Sequence, residues 1–223
     1  MKSFVAIVGM ALITPIFAVS LVVTMRLFGE TFYMAADTMQ PAIQANDRVF
    51  AEKITTLLKR PYARGEIICF YAPPIETGGK DVSGDALHVM GKLTGCPLLP
   101  HDLTFVKRVV GLPGDRIRIV SGQGVFVNGK RLDESSYVKE APMYSLNVLR
   151  DIGGYNITDH VTKPYADQHS NEPIVVPAGQ LFVLGDNRNG SQDSHIFGMI
   201  KGDSVIGRVM MKFYPQLRII DTP

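Results

Sequence analysis

The chain has 223 residues, 46% of them apolar, with 23 Lys and Arg against 21 Asp and Glu. That suits one globular domain of ordinary size plus an additional apolar segment. The formal net charge of +2, with no basic patch interleaved with aromatics, argues against a nucleic-acid partner, and no Cys/His ligand cluster suggests a metal.

Phe4 to Met25 is an uninterrupted uncharged run between Lys2 and Arg26, about the ~20 residues that a membrane-spanning helix needs. Pro15 near its middle would kink such a helix without forbidding it. A cleavable signal peptide competes with this reading, because Ala18 and nearby small residues suit a cleavage site. The run is longer than the usual signal-peptide core, so a retained anchor over residues 1–28 is expected, with one β domain over 29–223. Lys2 and the amino terminus against Arg26 give almost no charge asymmetry, so the positive-inside rule does not orient the segment.

Glu30 to Met34 is rich in β-formers and leads into a polar turn around Thr38, where Pro41 biases Gln40 away from helix. A lone threonine there is ordinarily a turn residue. Asp47 to Lys53 alternates polar and apolar side chains, the signature of a half-buried strand. Ile54 to Tyr62 reads as a turn of helix or a loop, and Gly65 to Ala72 as a strand stopped by Pro73 and Pro74. Residues 73–102 form an insertion with little periodicity. It contains Cys96; a bridge to Cys69 is allowed in an oxidising compartment, and a buried free Cys69 is the plainer reading.

Leu103 to Val110 is the next strand. Phe105, Lys107 and Val109 share one face and Val106, Arg108 and Val110 the other, so either Lys107 or Arg108 can be buried while its neighbour stays in water. A Gly-Leu-Pro-Gly turn follows, then a strand over Arg116 to Val120 and a hairpin turning at Asn128-Gly129. Residues 135–173 are a second, polar insertion. Ile174 to Val176, Gln180 to Leu184 and Ser204 to Tyr214 supply the last strands, around a loop dense in Asp, Asn and Ser. No long amphipathic helix is visible after the anchor. Many short strands with Gly/Pro turns point to a mostly β barrel or sandwich with irregular inserts.

Three stretches carry more than secondary structure: ADTMQPAI at 36–43, KRVVGLPGD at 107–115 and GDNRNGSQDSH at 185–195. In this order, behind an apolar segment, they resemble the type I signal peptidases, membrane-anchored Ser/Lys proteases whose blocks read approximately (S/G)xSMxPT(L/M), KRxxGxPGD and GDNRxxSxDSR. The resemblance implies a signal-peptidase-like β fold behind one N-terminal transmembrane helix. It also implies an amino terminus on the inner side of the cytoplasmic membrane and a catalytic domain on its outer face. By position, Lys107 matches the family's general base and Ser191 a serine that orients it, while Asp186, Arg188 and Asp193 match residues that hold the loop. Thr38 stands where the family has its nucleophilic serine, and Ala36 where many relatives have an oxyanion-hole serine. His195 replaces the arginine that ends the third block.

The chemistry is coherent, because a hydroxyl that attacks a peptide bond needs a base, and a desolvated lysine amine can be one. Threonine keeps the hydroxyl but adds a methyl that restricts χ1, and a misplacement of about 1 Å can cost roughly 10²-fold in rate. The missing donor at Ala36 would weaken oxyanion stabilisation by about 3 kcal/mol unless backbone N–H groups suffice. Substrate would lie extended along Phe32 to Ala36, with Met34 and Met39 and with Phe105 beside it. The implied partners are preproteins with small-x-small cleavage sites, membrane lipid and, as a further contact, the secretion machinery; no cofactor is implied. Two alternatives stay open: a catalytically weakened relative that binds signal-peptide-like segments, and a specialised conjugation or pilus maturation peptidase.

Overall fold

The computed structural model describes residues 20–73, 86–94, 102–146 and 173–220, together with Thr14, Phe17 and Ala18. Its larger sheet joins β1 (Gly29–Tyr33), β2 (Arg48–Glu52), β11 (Val205–Tyr214), β3 (Ile67–Tyr71), β4 (Thr104–Gly111), β9 (Gln180–Leu184) and β10 (Ile200–Lys201) in that order, with β12 (Arg218–Ile219) paired to β11. A smaller sheet orders β7 (Lys130–Arg131), β6 (Gly124–Val127), β5 (Arg116–Val120) and β8 (Ile174–Val175). The described pairings are antiparallel. The mostly β expectation holds.

Where one face meets water the alternation is plain: Val49 and Ala51 of β2, and Ile117 and Ile119 of β5, point inward between exposed or half-buried neighbours. The central strands behave differently because both faces of the large sheet are covered. In β9, Leu181 and Val183 join a cluster with Ile68, Phe70 and Phe197, while Phe182 and Leu184 join one with Ile117, Val125 and Val127 of the smaller sheet. A third cluster lies under the turn between β1 and β2, where Met34, Met39 and Ile43 pack on Val49, Ala51, Ile67 and Val209.

The turns follow their local chemistry. Asn128 and Gly129 take positive φ of 52° and 80°, the left-handed pair that a two-residue hairpin needs. At the Gly-Leu-Pro-Gly turn the Asp115 carboxylate accepts from Leu112 N–H at 2.7 Å and from Asn128 Nδ2 at 2.8 Å and pairs with Arg64 at 3.0 Å. That carboxylate fixes the passage from one sheet to the other.

The structure departs from the sequence reading in several places. The first insertion contains a helix, Ala86–Thr94, where no periodicity was expected. Leu87, Val89 and Met90 are exposed on it. Two-residue strands β10 and β12 are too short to announce themselves. Arg108, which could have stayed in water beside a buried Lys107, is 3% exposed, as is Lys107, because β4 is covered on both faces. The expected transmembrane helix is not found: among the described residues no helix is long and apolar enough to cross a membrane. Residues 20–28 are helical, whereas 1–13, the first part of the expected span, lie outside the described residues. So does Cys96, while Cys69 is buried and free.

The helix over 20–28 is tied to the first hairpin. Lys53 N–H donates to Phe28 O at 2.9 Å. Glu30 pairs with Lys53 at 2.5 Å and also with Arg26.

Gly207 of β11 sits where a Cβ would drive into the backbone carbonyl of Glu52. Gly207→Ala is expected to lower stability by about 1–3 kcal/mol through overpacking against backbone, read as a reduced denaturation midpoint with unchanged far-UV circular dichroism.

Candidate active site

Three segments meet at one point. The first is the turn between β1 and β2, closed at its neck by Met34 N–H to Asp47 O at 2.9 Å and Asn46 N–H to Met34 O at 2.8 Å. Inside it the Asp37 carboxylate accepts from Ala45 N–H at 2.7 Å and the Asp47 carboxylate from Gln44 N–H at 2.8 Å. Met39 and Ile43, both fully buried, plug the turn into the core. Burial of such a side chain stabilises by roughly 1.5–3 kcal/mol, so the backbone on either side of Thr38 is held. Thr38 itself is half-buried and Ala36 is exposed.

The second segment is β4. Lys107 pairs with Ile68 across the ladder, and its Nζ donates to Ser191 Oγ at 2.8 Å. The ammonium also stands 5.6 Å from the centre of the Phe105 ring.

The third is the loop from Gly185 to Asp193. Asn187 N–H donates to Thr38 O at 3.1 Å and Asn187 Nδ2 to Asp37 O at 3.1 Å, joining this loop to the first turn. Gly185 N–H donates to Asp193 Oδ2 at 2.9 Å, and Asp193 also caps the short helix Ser194–Phe197 through His195 N–H at 3.2 Å. A Cβ on Gly185 would stand 2.5 Å from Thr38 O and overlap Ser191 Oγ. Glycine is required there because two other segments approach its backbone.

Two buried ion pairs frame this point. Arg108 Nε and Nη2 donate to the two oxygens of Asp186 at 2.7 and 2.6 Å, with Nη1 on Gly65 O at 2.7 Å. Arg188 Nη1 and Nη2 donate to Glu134 at 3.1 and 2.6 Å, with Nε on Gly185 O at 2.9 Å. Burial pushes the carboxyls of Asp186 and Glu134 above their ordinary values, although Arg108 and Arg188 respectively pull them back. Among the described residues no cluster of His, Cys, Asp and Glu could hold a metal ion.

Of the residues singled out by sequence, Lys107, Ser191, Asp186, Arg188 and Asp193 are buried together around Gly185, and the backbone of Thr38 joins them. Met34 and Met39 are core residues at 6% and 0% exposure. Phe32 and Phe105 are half-buried, and Phe105 packs 6.1 Å from Phe70 and 6.0 Å from Phe197 between ring centres. His195, which replaces the family's arginine, is held on both sides: its Nδ1 meets Asp193 Oδ1, and its ring stacks on Tyr144 at 3.8 Å. Sequence reasoning missed Glu134, Tyr137 and Tyr144, which belong to no motif and reach the site only through tertiary contact.

The profile of the family described as "Signal peptidase, peptidase S26" matches residues 4–214. The chain is 34% identical over 207 residues to probable signal peptidase I-2 of Synechocystis sp., covering 92% of this chain and 73% of that one. It is 32% identical over 203 residues to signal peptidase I of Leptolyngbya laminosa, covering 91% and 77%. A solved signal peptidase I from Enterococcus faecalis aligns with 67% of this chain and 97% of its own at 23% identity, with a TM-score of 0.37.

Removing one partner from a buried pair leaves the other charge without compensation, which costs about 3–5 kcal/mol. Arg188→Ala is expected to destabilise by that amount in chemical denaturation, and Glu134→Gln, which can still accept from Arg188, by less.

Proposed function

The chain belongs to the S26 signal peptidases, and from that premise we propose that it removes signal peptides from exported preproteins with Thr38 as nucleophile and Lys107 as general base. The observation that supports this most is the 2.8 Å contact from Lys107 Nζ to Ser191 Oγ at a lysine only 3% exposed. Such burial disfavours the ammonium form, the condition under which an amine takes a proton. A hydroxyl partner orients the amine.

In this reading Lys107 accepts the proton of Thr38 Oγ as the oxygen adds to the scissile carbonyl. The tetrahedral adduct collapses with cleavage of the C–N bond, and Lys107 returns the proton to the amine of the departing mature protein. Water, deprotonated by the same lysine, then hydrolyses the Thr38 ester and frees the signal peptide as a carboxylate. Ala36 offers no side-chain donor. The Thr38 N–H, which makes no hydrogen bond among the described residues, is the backbone donor best placed in sequence to take over that role.

β1 is an edge strand of the large sheet among the described residues, so an extended preprotein segment can add along residues 32–36 by main-chain hydrogen bonds, with Phe32 and Phe105 flanking it. Met39 and Met34, enclosed beneath, shape that floor without reaching the peptide. Small-x-small specificity then arises from shallow pockets. Residues 1–28 serve as a single membrane anchor with the catalytic domain on the outer face; the exposed Leu21, Val22, Met25, Leu27 and Phe28 support this.

Three measurements test the reading. Lys107→Ala and Thr38→Ala are each expected to lower cleavage of a model preprotein in detergent by at least about 10³-fold at matched folding. Thr38→Ser should cleave at least as fast as the parent, because it loses the methyl and its rotamer restriction. No cleavage by either hydroxyl form would instead leave a protein that binds signal-peptide-like segments. Deleting residues 1–28 should release the domain from the membrane fraction, and a mature chain beginning near residue 19 would overturn the anchor.

A further inference from the structure

We propose that the stretch from Glu134 to Tyr144, at the start of the second insertion, is a clamp that holds the Lys107–Ser191 pair in register, with Tyr144 as a positioning residue acting through His195. The proposal rests on the reading of Lys107 as the base. Three side chains of this stretch each lie on a basic residue of the site blocks. Glu134 grips Arg188 with both oxygens, at 3.1 and 2.6 Å. The Tyr137 ring lies 4.0 Å from the guanidinium of Arg108, a cation–π distance. Tyr144 stacks on the His195 ring at 3.8 Å and 15°.

Each basic residue passes the contact on to the loop that carries Ser191. Arg188 holds Gly185 O, Arg108 holds both oxygens of Asp186, and His195 meets Asp193, whose other oxygen holds Gly185 N–H. The two ends of the loop are therefore gripped from one strip of chain. The strip's backbone is seated as well, with Met143 N–H on Asn189 Oδ1 at 2.8 Å and Asn189 Nδ2 on Ala141 O at 3.2 Å.

Tyr144 shows which part of the side chain matters. Its hydroxyl is buried and finds no partner among the described residues, so the oxygen contributes nothing that offsets its desolvation. The ring supplies the contact. Because a lysine–hydroxyl pair loses roughly 10²-fold in rate for a displacement of about 1 Å, a plane that stops His195 and Asp193 from swinging bears directly on the chemical step.

The test is steady-state cleavage of a preprotein by the full chain in detergent, with Tyr144→Leu, Tyr144→Phe, His195→Ala and the Tyr144→Leu/His195→Ala double variant. Tyr144→Leu should lower kcat by about tenfold or more with KM within about twofold, the signature of a lost transition-state arrangement. Tyr144→Phe, which keeps the ring, should restore that kcat. The double variant should lose no more than the larger single loss, because the two residues act in series. Parental kcat in Tyr144→Leu, an equal loss in Tyr144→Phe, or multiplicative losses in the double variant would overturn the clamp. Hydrogen exchange at the Gly185 amide gives a readout that needs no activity: it should quicken in Tyr144→Leu. Quickened exchange in a protein whose parent cleaves nothing sinks the base assignment and leaves the clamp standing, whereas unchanged exchange sinks the clamp.

Discussion

The space beside Gly185 is filled from two sides, by Ser191 Oγ and by the carbonyl of Thr38. Because no side chain fits there, the turn after β1, the strand β4 and the loop after β9 can meet within hydrogen-bonding distance of one another. Everything chemically interesting hangs on that approach. Asn187 reaches back to Thr38 and Asp37 from the next position but one, and Ser191 reaches Lys107 from six positions on. The geometry is set by backbone, which shifts less readily than side chains under thermal motion.

Around this point the protein buries three basic side chains, Lys107, Arg108 and Arg188, each at or below 3% exposure. Buried ion pairs are a poor route to stability, since desolvation consumes most of what the attraction provides. Apolar side chains of similar volume are often as stabilising as such a pair, or more so. What the two bidentate guanidinium–carboxylate pairs supply is direction: planar forks fix Asp186 and Gly185 O in both distance and angle. Lys107 is given a hydroxyl at 2.8 Å by the same loop. Polarity is concentrated where orientation matters, and the neighbouring clusters of Leu, Ile, Val, Met and Phe carry the stability.

Much of this was legible in the sequence, for identifiable reasons. β2 and β5 alternate because one face of each is wet, and Asn128-Gly129 turns where its φ freedom requires. β4 and β9 could be found as strands, but the fate of Arg108 could not: alternation tells which side chains point together and not whether either side is covered. Adjacency misled in the same way at Met39, which neighbours Thr38 in sequence yet points into the core. Lys107 and Ser191, 84 positions apart, were joined only by resemblance to known blocks. Glu134, Tyr137 and Tyr144 had no block to announce them, and their contacts with Arg188, Arg108 and His195 exist only in the folded chain.

The hairpin that carries the Thr38 turn is fastened at its other end to the helix over 20–28, through Lys53 N–H on Phe28 O and through Glu30 between Arg26 and Lys53. β1 has five residues, and a strand rises about 3.3 Å per residue, or roughly 17 Å in all. If the helix is the top of an anchor, the hairpin is a ruler standing on the membrane surface. Under the proposed anchor and nucleophile it would fix the height at which a bond can be cut, and chain length beyond the bilayer would then be a criterion for substrates alongside the side chains that flank the bond.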